Sequence, residues 1–375
     1  MSLGANRHLI GRPMANADFA TPALLIDLDS FQANIATMAD LTRRRGVDLR
    51  PHGKAHKSGR IGRMLIDAGA VGVCCATVRE AEVMADAGLD GVLVTTPVVA
   101  PGMIARLVHA REKAGSLALV VDNAVEVECL AAMARPDRPI DVLVDVDMGL
   151  GRTGITTPEE AVALAERISA APALRYRGVQ AYYGHLQHVP ALGDRHAKVA
   201  EQWRHLAGIL DALAAAGLPA EIVSGGGTGT HHLDLAHGPF TELQPGSYLF
   251  MDKQYGAVEM APGGSPFRTA LSVAARVVSV AQPDRVIVDA GSKALSTDAG
   301  PALIASGASP DAVYQFMGDE HGAVRLAAGS ARPRLGDLIT FTAPHCDPTV
   351  NLFDQFHIVQ DGRLVDIWPI EARGH

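Results

Sequence analysis

Lys54 stands in the stretch Arg50-Pro51-His52-Gly53-Lys54-Ala55-His56-Lys57, directly behind the apolar run 47–49. Two lysines, two histidines and an arginine crowd those eight residues. Like charges disfavour the ammonium form, so a lysine held among cations releases its proton more readily. The neutral amine is the form that attacks a carbonyl and makes a Schiff base. A basic cluster alone would read as a solvated loop. Its place at the end of a strand and before a helix turns the reading toward chemistry.

Other polar segments are spaced to join it. Asp145 to Gly154 carries glycines that permit a tight backbone and an arginine, Arg152, whose planar cation suits an oxygen or a ring nitrogen. Gln180-Ala181-Tyr182-Tyr183-Gly184-His185-Leu186-Gln187-His188 places aromatic rings before two histidines, a pattern that can stack on a flat cofactor and supply a base. Ser224-Gly225-Gly226-Gly227-Thr228-Gly229-Thr230 brings backbone N–H groups within reach of an anion, and Tyr248 of Pro245-Gly246-Ser247-Tyr248 can close the same pocket. Near the C-terminus, Pro344-His345-Cys346-Asp347 reads as extended, so His345 and Asp347 share one face and Cys346 takes the other. One imidazole and one carboxylate make half a metal site, which water or substrate completes. Each segment also has an ordinary reading as a surface turn or a satisfied core pair.

The elements between these segments give them a common frame. Short apolar runs at 47–49, 71–76, 91–95, 117–121, 140–146, 178–182, 221–223 and 242–250 alternate with alanine-rich helical stretches. Pro101 and Pro158 suit first helical turns, and Gly88 and Gly217 suit helix ends. Eight strand–helix repeats predict a parallel (β/α)8 TIM barrel over 29–264. An open doubly wound sheet is the alternative, but no glycine-rich dinucleotide turn follows the first strand. In a barrel, every polar segment named up to Tyr248 falls just past the C-terminal end of a strand, where such folds carry their chemistry. After 265, runs at 273–280, 285–289, 337–341, 356–360 and 364–368 predict a smaller, mostly antiparallel β domain, with Asp361-Gly362 as a hairpin turn. Residues 1–28, including the run 24–28, are expected to join it.

Composition bounds the function. The chain has 375 residues, 48% hydrophobic and 20% charged, which is a folded globular composition. A formal net charge of -8 leaves no footprint for nucleic acid or an anionic membrane. The sequence shows no bilayer-spanning apolar run and no basic, apolar leader. Four cysteines, two of them adjacent in an apolar run, suit a reducing, cytoplasmic setting.

Together these motifs resemble the D-threonine aldolase and D-serine dehydratase family, pyridoxal 5'-phosphate enzymes with an alanine-racemase-like barrel followed by a β domain. The likeness runs from Thr21-Pro22-Ala23 to Asn351-Leu352-Phe353-Asp354, and its specific parts are Arg-Pro-His-x-Lys-x-His-Lys at 50–57 and His-x-Asp at 345–347. It implies that Lys54 is the Schiff-base lysine and that Arg152 contacts the cofactor ring. Gln180, Tyr182 and Tyr248 would line the cofactor pocket. Ser224, Gly226, Gly227 and Thr228 would hold the phosphate. His345 and Asp347 would bind a divalent metal, with manganese favoured over magnesium, cobalt or zinc. His52, His185 and Asp319 would stand behind them, and His188 would be the base. The resemblance also implies a homodimer.

Within that family the dehydratases look like His-x-Cys at the metal. Asp347 at the matching position favours the aldolase branch, whose harder site suits oxygen ligands. The expected activity is retro-aldol cleavage of D-3-hydroxy amino acids, such as D-threonine to glycine and acetaldehyde. The alternatives are a dehydratase acting on D-serine or D-threo-3-hydroxyaspartate, an amino-acid racemase, and a non-catalytic pyridoxal-phosphate carrier.

Overall fold

A computed structural model describes residues 4–15 and 17–374. Strand β1 (Ala23–Asp27) precedes helix α1 (Leu28–Arg45). Eight short strands follow: β2 (Asp48–Leu49), β3 (Val73–Cys75), β4 (Val92–Val94), β5 (Leu117–Val121), β6 (Ile140–Asp147), β7 (Leu174–Tyr182), β8 (Ile222–Gly225) and β9 (Glu242–Leu243). Between them run α2 (Gly59–Asp67), α3 (Val78–Asp86), α4 (Pro101–Lys113), α5 (Ala124–Met133), α6 (Pro158–Ala170), α7 (Leu192–Ala215) and α8 (His231–His237).

Local chemistry sets the helix starts. Thr77, Asn123 and Thr157 accept from the N–H three residues on and cap α3, α5 and α6. Glu160 completes a capping box with Thr157. Pro101 and Pro158 occupy first turns, as the sequence predicts. Each helix lays an apolar face on the sheet, and both faces of the strands are covered. The burial of β3 to β6 is accordingly near-continuous.

The strands pair in parallel in the order β2-β9-β8-β7-β6-β5-β4-β3. The ring closes beyond β2, where His52 and Cys74 form a parallel bridge and Cys74 N–H donates to the Pro51 carbonyl at 2.9 Å. The last predicted run, 242–250, is shorter than expected. Only Glu242–Leu243 is strand, because Pro245 lacks a ladder donor and Ser247–Leu249 turns into a 3-10 helix. Strand β7 starts earlier than predicted, at Leu174, and carries a register shift near Gly178.

The second sheet has the order β13-β14-β11-β10-β1-β16-β17. Its further strands are β10 (Leu271–Ser279), β11 (Arg285–Val288), β12 (Leu303–Ser306), β13 (Val313–Phe316), β14 (Gly322–Arg325), β15 (Leu338–Thr342), β16 (Gln355–Gln360) and β17 (Arg363–Pro369). Strand β15 pairs with β10 and with β12. Every ladder is antiparallel except β1 with β16, so β1 belongs to this sheet and not to the barrel. Asp361 and Gly362, at φ 50° and 69°, make the turn between β16 and β17. Strands β12 to β14 escaped the sequence reading because each is only four residues long, and β12 and β13 are largely exposed.

Gly178 has φ 135°, and a Cβ there would lie 2.1 Å from the Ile222 carbonyl oxygen of the neighbouring strand. Gly178→Ala is expected to cost roughly 2–4 kcal/mol in urea unfolding. Gly208→Ala in α7, where nothing lies within 4 Å of the new Cβ, should instead stabilise by roughly 0.5–1 kcal/mol.

Candidate active site

His52, Lys54, Ala76, Thr95, Thr96, Arg152, Gln180, Tyr182 and Gln244 line one cleft at the C-terminal mouth of the barrel. Lys54 is carried there by the 3-10 turn Gly53–Ala55, which His52 caps. Its Nζ lies 5.7 Å from the centre of the Tyr182 ring, and the Arg152 guanidinium lies at the same distance. Asp347 Oδ2, from the second domain, is 3.9 Å from Lys54 Nζ.

The cationic crowd expected around Lys54 does not form. Arg50 turns inward to Glu242, with both nitrogen–oxygen contacts at 2.8 Å. Lys57 Nζ pairs with Glu80 at 3.0 Å. Burial, helped by Lys54, His56 and Arg152, holds His52 well below the usual imidazole range, and burial takes His56 to about 3. Both rings are therefore neutral. Burial also pulls on Lys54, but Tyr182 and Asp347 outweigh it, and the net shift is upward. The geometry thus corrects the argument from like charges: the amine rests as an ammonium on a carboxylate and an aromatic face.

His52 acts on Lys54 through structure. The Lys54 N–H donates to His52 Nδ1 at 3.3 Å, so the ring proton sits on Nε2 and points to Thr95 Oγ1 at 3.1 Å. Thr95 Oγ1 then donates to the Cys75 carbonyl. Below the cleft, Gln180 Nε2 donates to Asp145 Oδ1 at 2.8 Å and to the Thr95 carbonyl at 3.2 Å. Gln244 Nε2 donates to Gln180 Oε1 and to Ser224 Oγ. The Ser224 hydroxyl donates to Glu242. Ser224, expected at a phosphate, is thus a buried member of the barrel floor. Gly226, Gly227 and Thr228 do form the loop beyond β8. Tyr248, expected to close the pocket, is fully buried against Phe267. Only its backbone takes part, donating to Thr228 Oγ1 at 3.1 Å.

The second domain delivers its pair differently from the extended-strand expectation. His345 is extended, but Cys346 opens the short helix α10 (Cys346–Val350), so alternation does not align His345 with Asp347. Asp252 sets this segment. Its carboxylate caps the turn α9 (Lys253–Gly256) and accepts from Cys346 N–H at 2.8 Å. His345 Nδ1 lies 2.6 Å from Asp298 Oδ2, which leaves Nε2 for another partner. Burial pushes the Cys346 thiol well up, so it stays protonated and donates to Asp347 Oδ1. Asp319, expected near His345, is at the surface beside Lys293 and Ser292; Asp298 holds the place foreseen for it.

Among the described residues no three His, Cys, Asp or Glu side chains converge as a metal centre. His345 and Asp347 still offer one imidazole and one carboxylate. An imidazole oriented by a carboxylate on its other nitrogen suits a divalent cation whose remaining positions go to water or substrate. His188 packs against Tyr255, with ring centres 4.4 Å apart and the planes tilted by 47°. Burial and then the nearby His345 bring it down to about 4, and its Nε2 has no partner among the described residues. It is therefore unprotonated at neutral pH. His185 is exposed at the rim.

Sequence reasoning missed Thr95, Gln244, Glu242, Asp252, Asp298 and Tyr255. Glu242 and Gln244 straddle Leu243 at the start of the run 242–250, a signal of alternation that could have marked them. Asp252 has a local partner in Tyr255 N–H, but its tie to Cys346, like that of Asp298 to His345, joins residues far apart along the chain.

The alanine racemase N-terminal domain family matches residues 26–254, and the putative serine dehydratase domain family matches residues 270–359. The chain is 39% identical over 365 residues to a D-threonine aldolase from Arthrobacter sp, covering 97% of this chain and 95% of that one. It is 37% identical over 367 residues to a 3-hydroxy-D-aspartate aldolase from Paracoccus denitrificans strain Pd 1222, covering 96% and 94%. The crystal structure of a D-threonine aldolase from Filomicrobium marinum matches with a TM-score of 0.90 at 38% identity, covering 96% of each chain. The fold is that of an alanine-racemase-like enzyme. The chain belongs to the family of D-threonine aldolases and D-serine dehydratases. It is a lyase, and its relatives imply pyridoxal phosphate as the cofactor.

The Arg50–Glu242 pair is nearly buried, with side chains 11% and 4% exposed. Glu242→Ala strands the guanidinium and releases Ser224, so unfolding in urea should show a loss of about 3–5 kcal/mol. Removing the exposed Lys293, which pairs with Glu320 at the surface, should leave the midpoint unmoved.

Proposed function

We propose that this chain is a pyridoxal-phosphate- and divalent-metal-dependent aldolase that cleaves D-3-hydroxy amino acids, D-threonine among them, to glycine and an aldehyde. The observation that carries the proposal is the meeting of Lys54 and Asp347 across the two domains at 3.9 Å. It puts the cofactor-holding amine beside the residues suited to a cation.

Lys54 holds the cofactor, with Tyr182 and Arg152 flanking it and Gln180 on the floor below. Gly226, Gly227 and Thr228 receive the phosphate, while Ser224 and Tyr248 support them from within the fold. His345 Nε2 and the Asp347 carboxylate hold the cation, and an oxygen-bearing donor set suits manganese. Bound there, the cofactor would supply an electron sink for the breaking Cα–Cβ bond, and the cation would acidify the β-hydroxyl. His188, a neutral imidazole whose Nε2 has no partner among the described residues, takes the hydroxyl proton. Tyr255 packs against this ring and helps to hold it in place. We take residues 29–264 as the cofactor-binding unit, and 1–28 with 265–375 as the domain that brings the cation. The working form is a cytoplasmic homodimer.

Purified protein with bound cofactor should convert D-threonine to glycine and acetaldehyde and leave L-threonine untouched. Chelation should abolish turnover while the cofactor's visible band persists. If ammonia is released from D-serine or D-3-hydroxyaspartate faster than D-threonine is cleaved, the dehydratase reading replaces this one.

Borohydride should fix the chromophore to the peptide that contains Lys54. A Lys54→Ala protein that is still labelled would remove Lys54 from its role.

A further inference from the structure

The loop 226–230 is gripped from behind by a buried chain of hydrogen bonds that leads to the surface helix α7. Trp203 Nε1 donates to the Tyr183 hydroxyl at 3.2 Å. The Tyr183 hydroxyl donates to Asp234 Oδ1. Thr230 Oγ1 donates to Asp234 Oδ2 at 2.6 Å. Gln187 closes the ring: its Nε2 donates to Thr230 Oγ1 at 3.1 Å, and its Oε1 accepts from Gly229 N–H at 2.9 Å. Tyr183, Gln187, Thr230 and Asp234 are all 3% exposed or less. A polar network this deep is stable only if its members satisfy one another, and once satisfied it is rigid.

The glycines answer to this network. Gly226 has φ 64°, and a Cβ there would lie 2.4 Å from Asp234 Oδ2. A Cβ on Gly227 would lie 2.5 Å from Gln187 Oε1. The loop's acceptors are also occupied within the fold. The Thr228 carbonyl is bonded to His231 Nδ1 at 2.8 Å, and Thr230 Oγ1 also accepts from Gly227 N–H at 3.2 Å. The inward carbonyl and hydroxyl oxygens leave an anion less to repel it. The bonds from Gly227 and Gly229 N–H tie the loop backbone to the network and leave an anion to the loop's other N–H groups. Burial lifts Asp234 to about 7, which moderates the negative charge behind the loop.

We infer that Tyr183, Gln187 and Asp234 are positioning residues that set the loop 226–230 in its anion-accepting shape before the cofactor phosphate arrives, and that Trp203 reports whether the phosphate is there. The inference rests on the cofactor reading above and adds to it the residues that shape the phosphate seat.

The test compares pyridoxal 5'-phosphate with pyridoxal, which lacks the phosphate. Holoprotein is stripped with hydroxylamine and titrated with each aldehyde. In Tyr183→Phe the affinity for pyridoxal 5'-phosphate should fall about tenfold, the scale of one hydrogen bond, while the affinity for pyridoxal stays unchanged. Gln187→Met should show the same split and serves if the first variant does not fold. Tryptophan emission of the stripped wild type should change with pyridoxal 5'-phosphate and with inorganic phosphate, and Trp203→Phe should abolish the response to inorganic phosphate. Equal losses for both aldehydes, or no loss for either, would overturn the inference while leaving the cofactor reading intact. A phosphate response that survives in Trp203→Phe would remove the reporter role. A wild type that binds neither aldehyde would bring down the cofactor reading itself.

Discussion

A guanidinium inside a barrel must find a carboxylate, because an isolated charge in a dry interior is far too costly to keep. Arg50 finds Glu242 on the neighbouring strand, and its third nitrogen reaches the Gly91 carbonyl across the ring. The consequences spread from this pair. Glu242 orients Ser224, Gln244 joins Ser224 to Gln180, and Gln180 fixes Asp145. A polar floor is thereby built beneath the cleft where a flat, charged molecule would lie. The same pairing removes Arg50 from the neighbourhood of Lys54, so the first residue of the basic motif serves the barrel and not the chemistry.

The second constraint is the joint between the domains. Asp252, 1% exposed, accepts from Tyr255 N–H in the barrel's last turn and from Cys346 N–H in the β domain. One carboxylate thus sets both Tyr255, against which His188 packs, and the segment that carries His345 and Asp347. Asn34 of α1 makes a comparable tie, donating to the Leu249 and Arg268 carbonyls and accepting from Arg268 N–H. The cleft is therefore framed from two domains at once, and its electrostatics are shared. The lysine comes from one domain and its counter-charge from the other.

Much of the fold was legible along the chain. Alternation of apolar runs with capped, alanine-rich stretches is a local pattern, and it marked barrel and β domain alike. The Asp361-Gly362 turn was legible because left-handed backbone selects few residue types. Strand β9 was over-read because the run 242–250 is apolar for two reasons. Its first residues pair in the sheet, and its later ones fill the core beneath a 3-10 turn. Strands β12 to β14, four residues each, were too short to show a pattern.

The sequence by itself determined which residue types stand at the ends of which strands, and hence that Lys54, Arg152, Gln180 and Tyr182 share one mouth. Strand order and the period of two are enough for that, since a barrel sends every such end to the same face. The tertiary structure decided the charge states and the partners. It showed that the other basic residues of the 50–57 motif are paired or neutral, that Ser224 and Tyr248 are turned inward, and that His345 is oriented by Asp298 and not by Asp319. It also showed that α10 begins at Cys346, where the sequence suggested an extended segment. These are questions of burial and of contacts between residues tens to hundreds of positions apart. A proton's affinity and a side chain's direction depend on those neighbours, and no local spacing encodes them.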